Sequence, residues 1–238
     1  SRYKVENVAT INSKFDDFAA VYTNAKKDYK SLTFTSTRDE SAGKEVDGWT
    51  GMKYSDLFET TLDKKGKWSV PKPIPFPVNT EDVNEGSASL DKKGTEMFFT
   101  RCETVNNVSS GCKIYSTKRK GPSWEEPVAL PFNTDSFTLG HPCLSSDETK
   151  LYYSSDMEGG FGGKDIWAVL YDKKKKQWGV PENLGSKINT SGDEMYPFIR
   201  SDGTLYFSSN GHQPSLGGLD IFFCKAEGKD FGPATNMK

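Results

Sequence analysis

The sequence lacks any run of about 18 apolar residues, the length that a helix needs to span a membrane. Histidine and cysteine are scarce, with only His141, His212 and four cysteines. Their spacing does not match a zinc site, so we expect no metal and no cofactor. Net charge is low as well, because 31 basic and 33 acidic residues give −2. A near-neutral surface argues against nucleic acid as the partner.

Glycine, proline and aromatic residues are plentiful by contrast. The chain has 22 glycines, 12 prolines and 13% aromatic residues. Spread along the whole sequence, they are typical of short strands joined by turns. A chain of 238 residues is long enough for one large all-β domain, and we expect residues 1–238 to form one.

The clearest pattern lies in the last quarter of the chain. An extended segment at 196–199 is followed by a turn at 201–203, where glycine can adopt a positive φ. A strand follows at 205–209, and a glycine-rich loop leads to another strand at 220–223. This order of strand, turn, strand, loop and strand predicts one antiparallel supersecondary unit.

The same pattern occurs four times in all. The central strands of the copies are at 32–36, 97–100, 151–155 and 205–209. Each copy closes on an aromatic residue and a proline, and the closing tryptophans are about 55 residues apart, in the range of propeller blades. The repeat units that follow from this spacing are approximately 9–71, 72–127, 128–181 and 182–238.

Each unit holds about four short strands: an inner strand, two central strands and an outer strand that ends in tryptophan. Such a sheet buries its two apolar faces only by packing against neighbouring sheets. We therefore predict an all-β fold, a β-propeller of four-stranded antiparallel blades. Four blades are favoured, and a larger ring completed by sequence outside this chain is the alternative. Residues 1–8 are expected to form a ring-closing strand, with a remnant of an upstream unit as the alternative.

The last unit contains the pattern DE…P…SDG..LYFSSN…GG.DI, which begins at Asp193. This pattern resembles the WD-like propeller repeat of TolB and of many Bacteroidota envelope proteins. In the form present here it is most similar to the propeller of OmpA-family lipoproteins, above all the PorE-like lipoproteins of the type IX secretion system. The resemblance covers nearly the whole chain and is strongest in the last two units.

The resemblance implies a non-catalytic scaffold that binds envelope or secretion-complex proteins in the periplasm. Association with the outer membrane would run through parts outside this chain. Peptidoglycan binding would do so too, because the OmpA-type domain of such proteins is absent from this sequence. Two alternatives stay open: a propeller hydrolase or lyase that acts on glycans or peptides, and a propeller with a small ligand or metal in its central channel.

Residues shared by several units are expected to build the blades, since a catalytic residue normally occurs once. Aspartates at the start of the third strand would cap backbone N–H groups at a blade corner. Tryptophans near the end of each unit would pack between blades. The aspartates are Asp56, Asp165 and Asp220, and the tryptophans are Trp68, Trp124 and Trp178. No catalytic residue is expected.

Two of the cysteines, Cys102 and Cys112, lie at the two ends of a predicted hairpin. Because the ends of a hairpin are close together, we expect a disulfide between them. Such a bridge would imply an oxidising compartment such as the periplasm. Cys143 and Cys224 fall within predicted strands and are expected to be small buried apolar residues.

Residues that break the repeat are the best candidates for binding a partner. The position six residues before the turn aspartate differs in every unit, and it lies at the start of the inner strand. Residues that follow the central strands, and the long loop at 38–54, are further candidates because function concentrates in loops. The predicted partner-binding residues are Phe18, Glu85, His141, Tyr196, Arg38, Arg101 and Trp49.

Overall fold

A computed structural model describes residues 4–23, 29–43, 46, 51–105, 108–228 and 230–237. These residues form strands and turns and no helix, so the described chain offers no helical segment that could cross a membrane. Four antiparallel sheets form four blades, which confirms the predicted fold class of a four-bladed β-propeller. The chain divides into two compact units, Ser1–Ala129 (unit 1) and Leu130–Lys238 (unit 2), each with two blades.

Unit 1 contains blades 1 and 2. The strands of blade 1 are β1 (Asp17–Tyr22), β2 (Ser31–Ser36), β3 (Asp56–Thr61) and β4 (Lys72–Pro73), which pair in that order. The strands of blade 2 are β5 (Asn84–Leu90), β6 (Glu96–Val105), β7 (Val108–Lys120), β8 (Ser123–Trp124) and β9 (Val128–Ala129). Both β8 and β9 pair with β7.

Unit 2 contains blades 3 and 4. The strands of blade 3 are β10 (Leu139–Leu144), β11 (Lys150–Ser155), β12 (Asp165–Asp172), β13 (Gln177–Trp178) and β14 (Glu182–Asn183). The strands of blade 4 are β15 (Glu194–Ile199), β16 (Leu205–Ser209), β17 (Asp220–Cys224), β18 (Ala226–Glu227), β19 (Asp230–Phe231) and β20 (Thr235–Asn236). Here β18 and β19 pair with each other, and β20 is the fourth strand of the blade.

The chain reaches its fourth strand only after a short hairpin that holds the closing aromatic residue. Trp124 pairs with Arg119, near the end of the third strand, and Trp178 pairs with Tyr171. Proline has no N–H to give to a ladder, so pairing resumes only beyond it. The predicted outer strand that ends in tryptophan is present in blades 2 and 3 as β8 and β13, and a second short strand, β9 or β14, pairs with the same third strand beyond the proline. Strands β4, β9 and β14 begin at 72, 128 and 182, just past the predicted unit boundaries.

An asparagine in the linker after the fourth strand acts as an extra strand partner. The side-chain amide of Asn79 accepts a hydrogen bond from Leu57 N and donates one to Leu57 O, both at 2.9 Å. Asn189 makes the same two bonds with Ile166, at 2.7 and 3.0 Å. The linker is thereby held along the third strand, which explains why asparagine recurs in the linker motif.

The two units bury equivalent cores. The core of unit 1 packs around Trp124 and contains Leu57, Ile74, Val78, Met97 and Phe99. The core of unit 2 packs around Phe231 and contains Ile166, Leu184, Ile188, Leu205 and Phe207. Each core joins one face of the first blade in its unit to the facing side of the second, as the repeat pattern requires.

The described part of the N-terminal segment, residues 4–8, contains no strand. Val5 is 94% exposed, and Lys4 forms an ion pair with Glu6 at the surface. Val8 O accepts hydrogen bonds from the backbone of Ile11, so the chain turns there. Both valines of the segment, Val5 and Val8, are exposed among polar residues, so the segment buries no apolar face. The prediction that it forms a ring-closing strand is wrong for these residues.

Candidate partner-binding site

The inner strand of every blade contains a bulge. The pairing register breaks once in each of β1, β5, β10 and β15. One residue in each break has a left-handed φ between 48 and 55°, and these residues are Ala19, Ser87, His141 and Tyr196. A left-handed conformation is unusual for residues other than glycine, and a bulge supplies it. Because the backbone defines this position, its side chain is free to differ from blade to blade.

This register corrects the equivalence predicted at the inner strand. Ser87, and not Glu85, is the counterpart of His141 and Tyr196, and Ala19 replaces Phe18 in blade 1. Counting back from the turn aspartate fails in blade 2 because that aspartate is the first residue after the strand. In blades 3 and 4 the turn aspartate is the third residue after the strand. The count therefore overshoots by two residues in blade 2.

His141 and Tyr196 lie together in unit 2. Their rings are stacked, with centroids 3.8 Å apart and planes at 18°, and Tyr196 is 37% exposed. Burial, followed by the positive charge of Lys164, lowers the pKa of His141 to about 4. Burial also raises the pKa of the Tyr196 hydroxyl. Both rings are consequently neutral at physiological pH, and they form a small aromatic surface at the inner strands.

Two loops of unit 2 are packed closely against the linker between its blades. A Cβ at Gly162 would clash with the backbone of Ser191, and a Cβ at Gly211 would clash with Thr190. Only glycine allows such an approach. The glycine-rich loop before β12 and the loop before β17 are thus fixed in place, which gives a physical reason for the glycines in the repeat pattern.

The same two loops expose apolar side chains. Phe161 is 49% exposed, Leu216 is 74% exposed and Leu219 is 47% exposed. Asp165 accepts a hydrogen bond from Phe161 N at 2.6 Å, and Asp220 accepts one from Leu216 N. The recurring aspartates therefore shape the loops that carry these tips. The two loops therefore present individual apolar side chains to solvent.

Asp56 acts in the same way in blade 1, where it accepts a hydrogen bond from the backbone N–H of Ala42. The predicted capping role thus corresponds to a contact in each of the three blades that have the aspartate. The tryptophans occupy equivalent hairpins, but they differ in burial. Trp124 is 5% exposed, whereas Trp68 and Trp178 are half-buried.

Glu85 is fully buried and belongs to a repeated structural contact. It accepts hydrogen bonds from Thr80 Oγ1 at 2.8 Å and from Arg101 Nε at 3.0 Å. Glu194 accepts equivalent bonds from the backbone and hydroxyl of Thr190, both at 2.7 Å. Burial raises the pKa of Glu85 to about 8, against the opposing effects of Thr80 and Arg101. The side chain ties the linker to the inner strand and is not exposed to a partner.

Arg38 and Arg101, which were predicted to bind a partner, are turned inward. Arg101 donates hydrogen bonds from Nη2 to the carbonyl oxygens of Pro77 and Val78, both at 3.0 Å. Arg38 is 7% exposed and donates from Nη2 to Ile11 O at 2.8 Å. Each guanidinium also lies over aromatic rings of its own blade. The two arginines bind the linkers of unit 1, which corrects the prediction that they face a partner.

Two predicted partner-binding residues remain, Phe18 and Trp49. Phe18 is 36% exposed on β1, and Trp49 is outside the described residues. The structure contains the disulfide Cys102–Cys112, which joins β6 to β7, while Cys143 and Cys224 are free and buried. Within the described residues, no three side chains of the His, Cys, Asp or Glu type are grouped to hold a metal ion.

Comparison with known proteins identifies the fold. Neither the protein-family models nor the curated proteins include a match to this chain. Among solved structures, TolB from Acinetobacter baumannii matches with a TM-score of 0.57 and 14% identity, over 96% of this chain and 45% of that one. A putative TolB from Agrobacterium tumefaciens matches with a TM-score of 0.52 and 16% identity, over 95% of this chain and 82% of that one.

A glycosidase propeller is similar to the same degree. The GH93 α-L-arabinofuranosidase of Fusarium graminearum matches with a TM-score of 0.51 and 14% identity, over 91% of this chain and 64% of that one. This chain spans less than half of the Acinetobacter TolB chain. At these identities the likeness shows a shared β-propeller fold, and the fold alone does not distinguish a binding protein from an enzyme.

Proposed function

We propose that this chain is a non-catalytic β-propeller domain that binds a partner protein in the periplasm of a bacterial envelope. The observation that supports this most directly is the stacked pair of His141 and Tyr196. Two neutral aromatic rings, one of them more than a third exposed, offer the kind of anchor that dominates protein interfaces. The exposed tips Phe161, Leu216 and Leu219 add apolar area on the loops of the same unit.

The buried carboxyl groups of unit 1 support a role without catalysis. A general acid or base must reach the proton that it transfers. The carboxyl group with the most strongly raised pKa, that of Glu85, is fully buried and bonded to Thr80 and Arg101. Asp56 is also fully buried and holds the backbone of Ala42. Both groups are engaged in structural contacts.

The resemblance of the repeat pattern to PorE-like lipoproteins extends the proposal to a secretion-complex scaffold associated with the outer membrane. The Cys102–Cys112 disulfide is in keeping with the periplasm, because disulfides persist in oxidising compartments. Membrane association and peptidoglycan binding would then rely on domains outside this chain.

The proposal is tested by photo-crosslinking in the envelope of the source bacterium. A photoreactive phenylalanine analogue is placed at position 196, and in a control protein at Tyr22, an exposed tyrosine of β1. We expect discrete crosslinked partner bands from position 196 and few from position 22. In a pull-down, Tyr196→Ala should lower partner capture by at least about tenfold, as for an interface hot spot.

Tyr22→Ala is the matched control for the pull-down, since it removes an exposed tyrosine from another inner strand. Tyr22→Ala should unfold within about 2 °C of the unchanged protein, because an exposed side chain contributes little to stability. Tyr196→Ala should lose about 0.5–1.5 kcal/mol more because its ring stacks on His141, so capture is compared at a temperature at which both variants are folded. Full capture by Tyr196→Ala, combined with weak capture by Tyr22→Ala, would place the binding surface on another part of the molecule.

A further inference from the structure

In unit 1, a charged side chain fills the space where the outer ends of two blades meet. Arg119 Nη2 donates to Glu59 Oε1 at 2.7 Å, and Cζ of Arg119 lies 4.5 Å from the ring centre of Trp124. The two charged side chains are 31% and 33% exposed. Because a guanidinium is flat, it can stack on an aromatic ring and pair with a carboxylate at the same time. We call these three residues the Arg119 site.

The strand register identifies the same place in unit 2. Arg119 pairs with Trp124 in the closing hairpin of blade 2, and Ala226 pairs with Phe231 in the closing hairpin of blade 4. Glu59 is the residue of β3 that pairs with the first residue of the fourth strand. In blade 3 that residue is Ala168, which pairs with Glu182. Unit 2 therefore has Ala226 in place of Arg119, Ala168 in place of Glu59 and Phe231 in place of Trp124.

Two of the three replacing residues, Ala168 and Phe231, line an open cleft in unit 2, which we call the outer cleft. Its volume is about 180 Å³, and its lining also includes Lys150, Glu182, Leu184 and Asp230. Pockets for whole drug-sized ligands typically measure about 300–1,000 Å³. The outer cleft therefore has room for a single long side chain of a partner and not for a complete ligand of that size.

The lining of the outer cleft suits a cation with an apolar stem. Ala168, Leu184 and Phe231 form an apolar floor that continues the core of unit 2. The carboxylates of Glu182 and Asp230 line the cleft together with one ammonium group, that of Lys150. Asp230 is paired with Lys187 at 2.8 Å, whereas the exposed Glu182 lies beside Ala168 on the fourth strand. Glu182 is thus placed to receive a cation.

We propose that the outer cleft binds an arginine side chain of a partner protein. The guanidinium would lie on the ring of Phe231 and pair with Glu182, in the arrangement that Arg119 adopts on Trp124 and Glu59 within unit 1. The chain contains its own template for the complex. This site is distinct from the His141–Tyr196 pair and does not rest on the function proposed above.

The test is a titration of the whole protein with N-acetyl-arginine amide, followed by NMR of ¹³C-labelled alanine and leucine methyl groups. We expect saturable shifts at Ala168, Leu170 and Leu184, which line the cleft, with a dissociation constant of about 1 mM, a weak affinity suited to one side chain. N-acetyl-citrulline amide has nearly the same shape without the charge, and it should bind at least threefold more weakly.

Two variants separate the cleft from non-specific binding. Glu182→Gln removes the pairing charge from an exposed position and should weaken the arginine probe at least threefold. The double variant Ala168→Glu/Ala226→Arg recreates the Arg119 site and should abolish binding, because its own arginine occupies the cleft. Lys174→Ala, in an exposed turn, is the control and should bind the probe normally.

Several results would overturn the proposal. Citrulline binding as tight as arginine binding would show that charge plays no part. Unchanged affinity in Glu182→Gln, or no saturable shift at the three methyl-bearing residues, would show that the cleft is not the site. Should the double variant fail to fold, Glu182→Gln and the citrulline probe decide the question without it.

Discussion

The two units are built on the same register, yet they fill equivalent positions with different chemistry. Unit 1 has paired charged side chains at these positions: Arg101 binds Glu85, and Arg119 binds Glu59. Unit 2 has Ser209 in place of Arg101 and Ala226 in place of Arg119. At its bulges it has aromatic rings where unit 1 has alanine and serine. Unit 1 thus fills these positions with paired charged side chains, and unit 2 leaves the equivalent positions open.

This difference shows how a repeat reveals candidate sites. Some backbone positions keep the same geometry in every copy while their side chains differ. In at least one copy, the side chain at such a position is not required for the fold. The bulge position is such a case, with Tyr196 exposed and Ser87 buried. The Arg119 site is another, because unit 1 fills it from its own sequence and unit 2 does not. In both cases the interpretation requires the correct register, which only the strand pairing supplies.

The largest expected effect concerns the closing tryptophans. Trp124→Ala should destabilise the protein by about 3–5 kcal/mol, because a buried indole at the centre of the unit 1 core leaves a large cavity. Trp178 is half-buried against Tyr171 and Phe132, so Trp178→Ala should cost about 1–3 kcal/mol. Urea denaturation followed by circular dichroism measures both. Equal losses would mean that the two hairpins are packed alike and that the contrast between the units is smaller than described.

The next effect concerns Arg101. Its removal breaks the hydrogen bond from Nε to Glu85 and the two hydrogen bonds from Nη2 to the carbonyl oxygens of Pro77 and Val78. Arg101→Ala should therefore destabilise the protein by about 3–5 kcal/mol, because several buried acceptors lose their donor at once. The exposed Arg200 is the control, and Arg200→Ala should change stability by no more than about 0.5 kcal/mol. If Arg101→Ala left the thermal midpoint unchanged, Arg101 would not be a buried structural residue, and the prediction that it faces a partner would be restored.

Much of the fold was predictable because its signals are local. Each copy contains a strand, a turn and another strand within a few residues. The next strand begins at an aspartate, Asp165 or Asp220, that accepts a backbone hydrogen bond from the preceding loop. The disulfide position also followed from a short hairpin. The short strand beyond the proline was not predicted because it contains only two residues, as at Lys72–Pro73, which is too short for any periodicity.

The candidate site was less predictable because it depends on register and on long-range partners. His141 and Tyr196 were found by their variability, and the structure stacks them. Glu85 was selected by counting six residues back from the turn aspartate. That count is wrong in blade 2, where the aspartate lies two residues closer to the inner strand than in blades 3 and 4. Arg101 was predicted to face a partner because it follows a central strand. The carbonyl groups that bind it, those of Pro77 and Val78, lie more than twenty residues away in sequence. Sequence alone gives no signal for such contacts.

A pH dependence separates two carboxyl groups at equivalent positions of unit 1. Burial raises the pKa of Glu85 to about 8, above its ordinary value of about 4.3. The fold thus favours the protonated form, and its contribution to stability is complete below about pH 4.3 and is lost as the pH rises through about 8. Relative to Glu85→Gln, the unchanged protein should become progressively less stable between those values, as measured by urea denaturation at several pH values.

Asp17 should show the opposite sign. Burial would raise its pKa, but hydrogen bonds from Ser13, Ser36 and Arg38 outweigh burial and hold the pKa below its ordinary value. Its contribution is therefore present above about pH 3.9 and is lost as the pH falls through the lowered pKa. Relative to Asp17→Asn, the unchanged protein should lose stability only in acid. The same sign for both residues would contradict the assignment of different environments to them.

The smallest expected effect tests whether the Arg119 site of unit 1 and the outer cleft of unit 2 are equivalent positions. A double-mutant cycle with Glu59→Ala and Arg119→Ala should give a coupling of about 0.2–1 kcal/mol, because both side chains are about one-third exposed to solvent and the attraction is screened. The cycle in unit 2 adds the charges instead, with Ala168→Glu, Ala226→Arg and the double variant. If the register makes the positions equivalent, the introduced pair should show a coupling of the same sign and similar size. A coupling near zero in unit 2, beside a clear coupling in unit 1, would show that the two places differ in geometry and that the Arg119 site is not a template for the outer cleft.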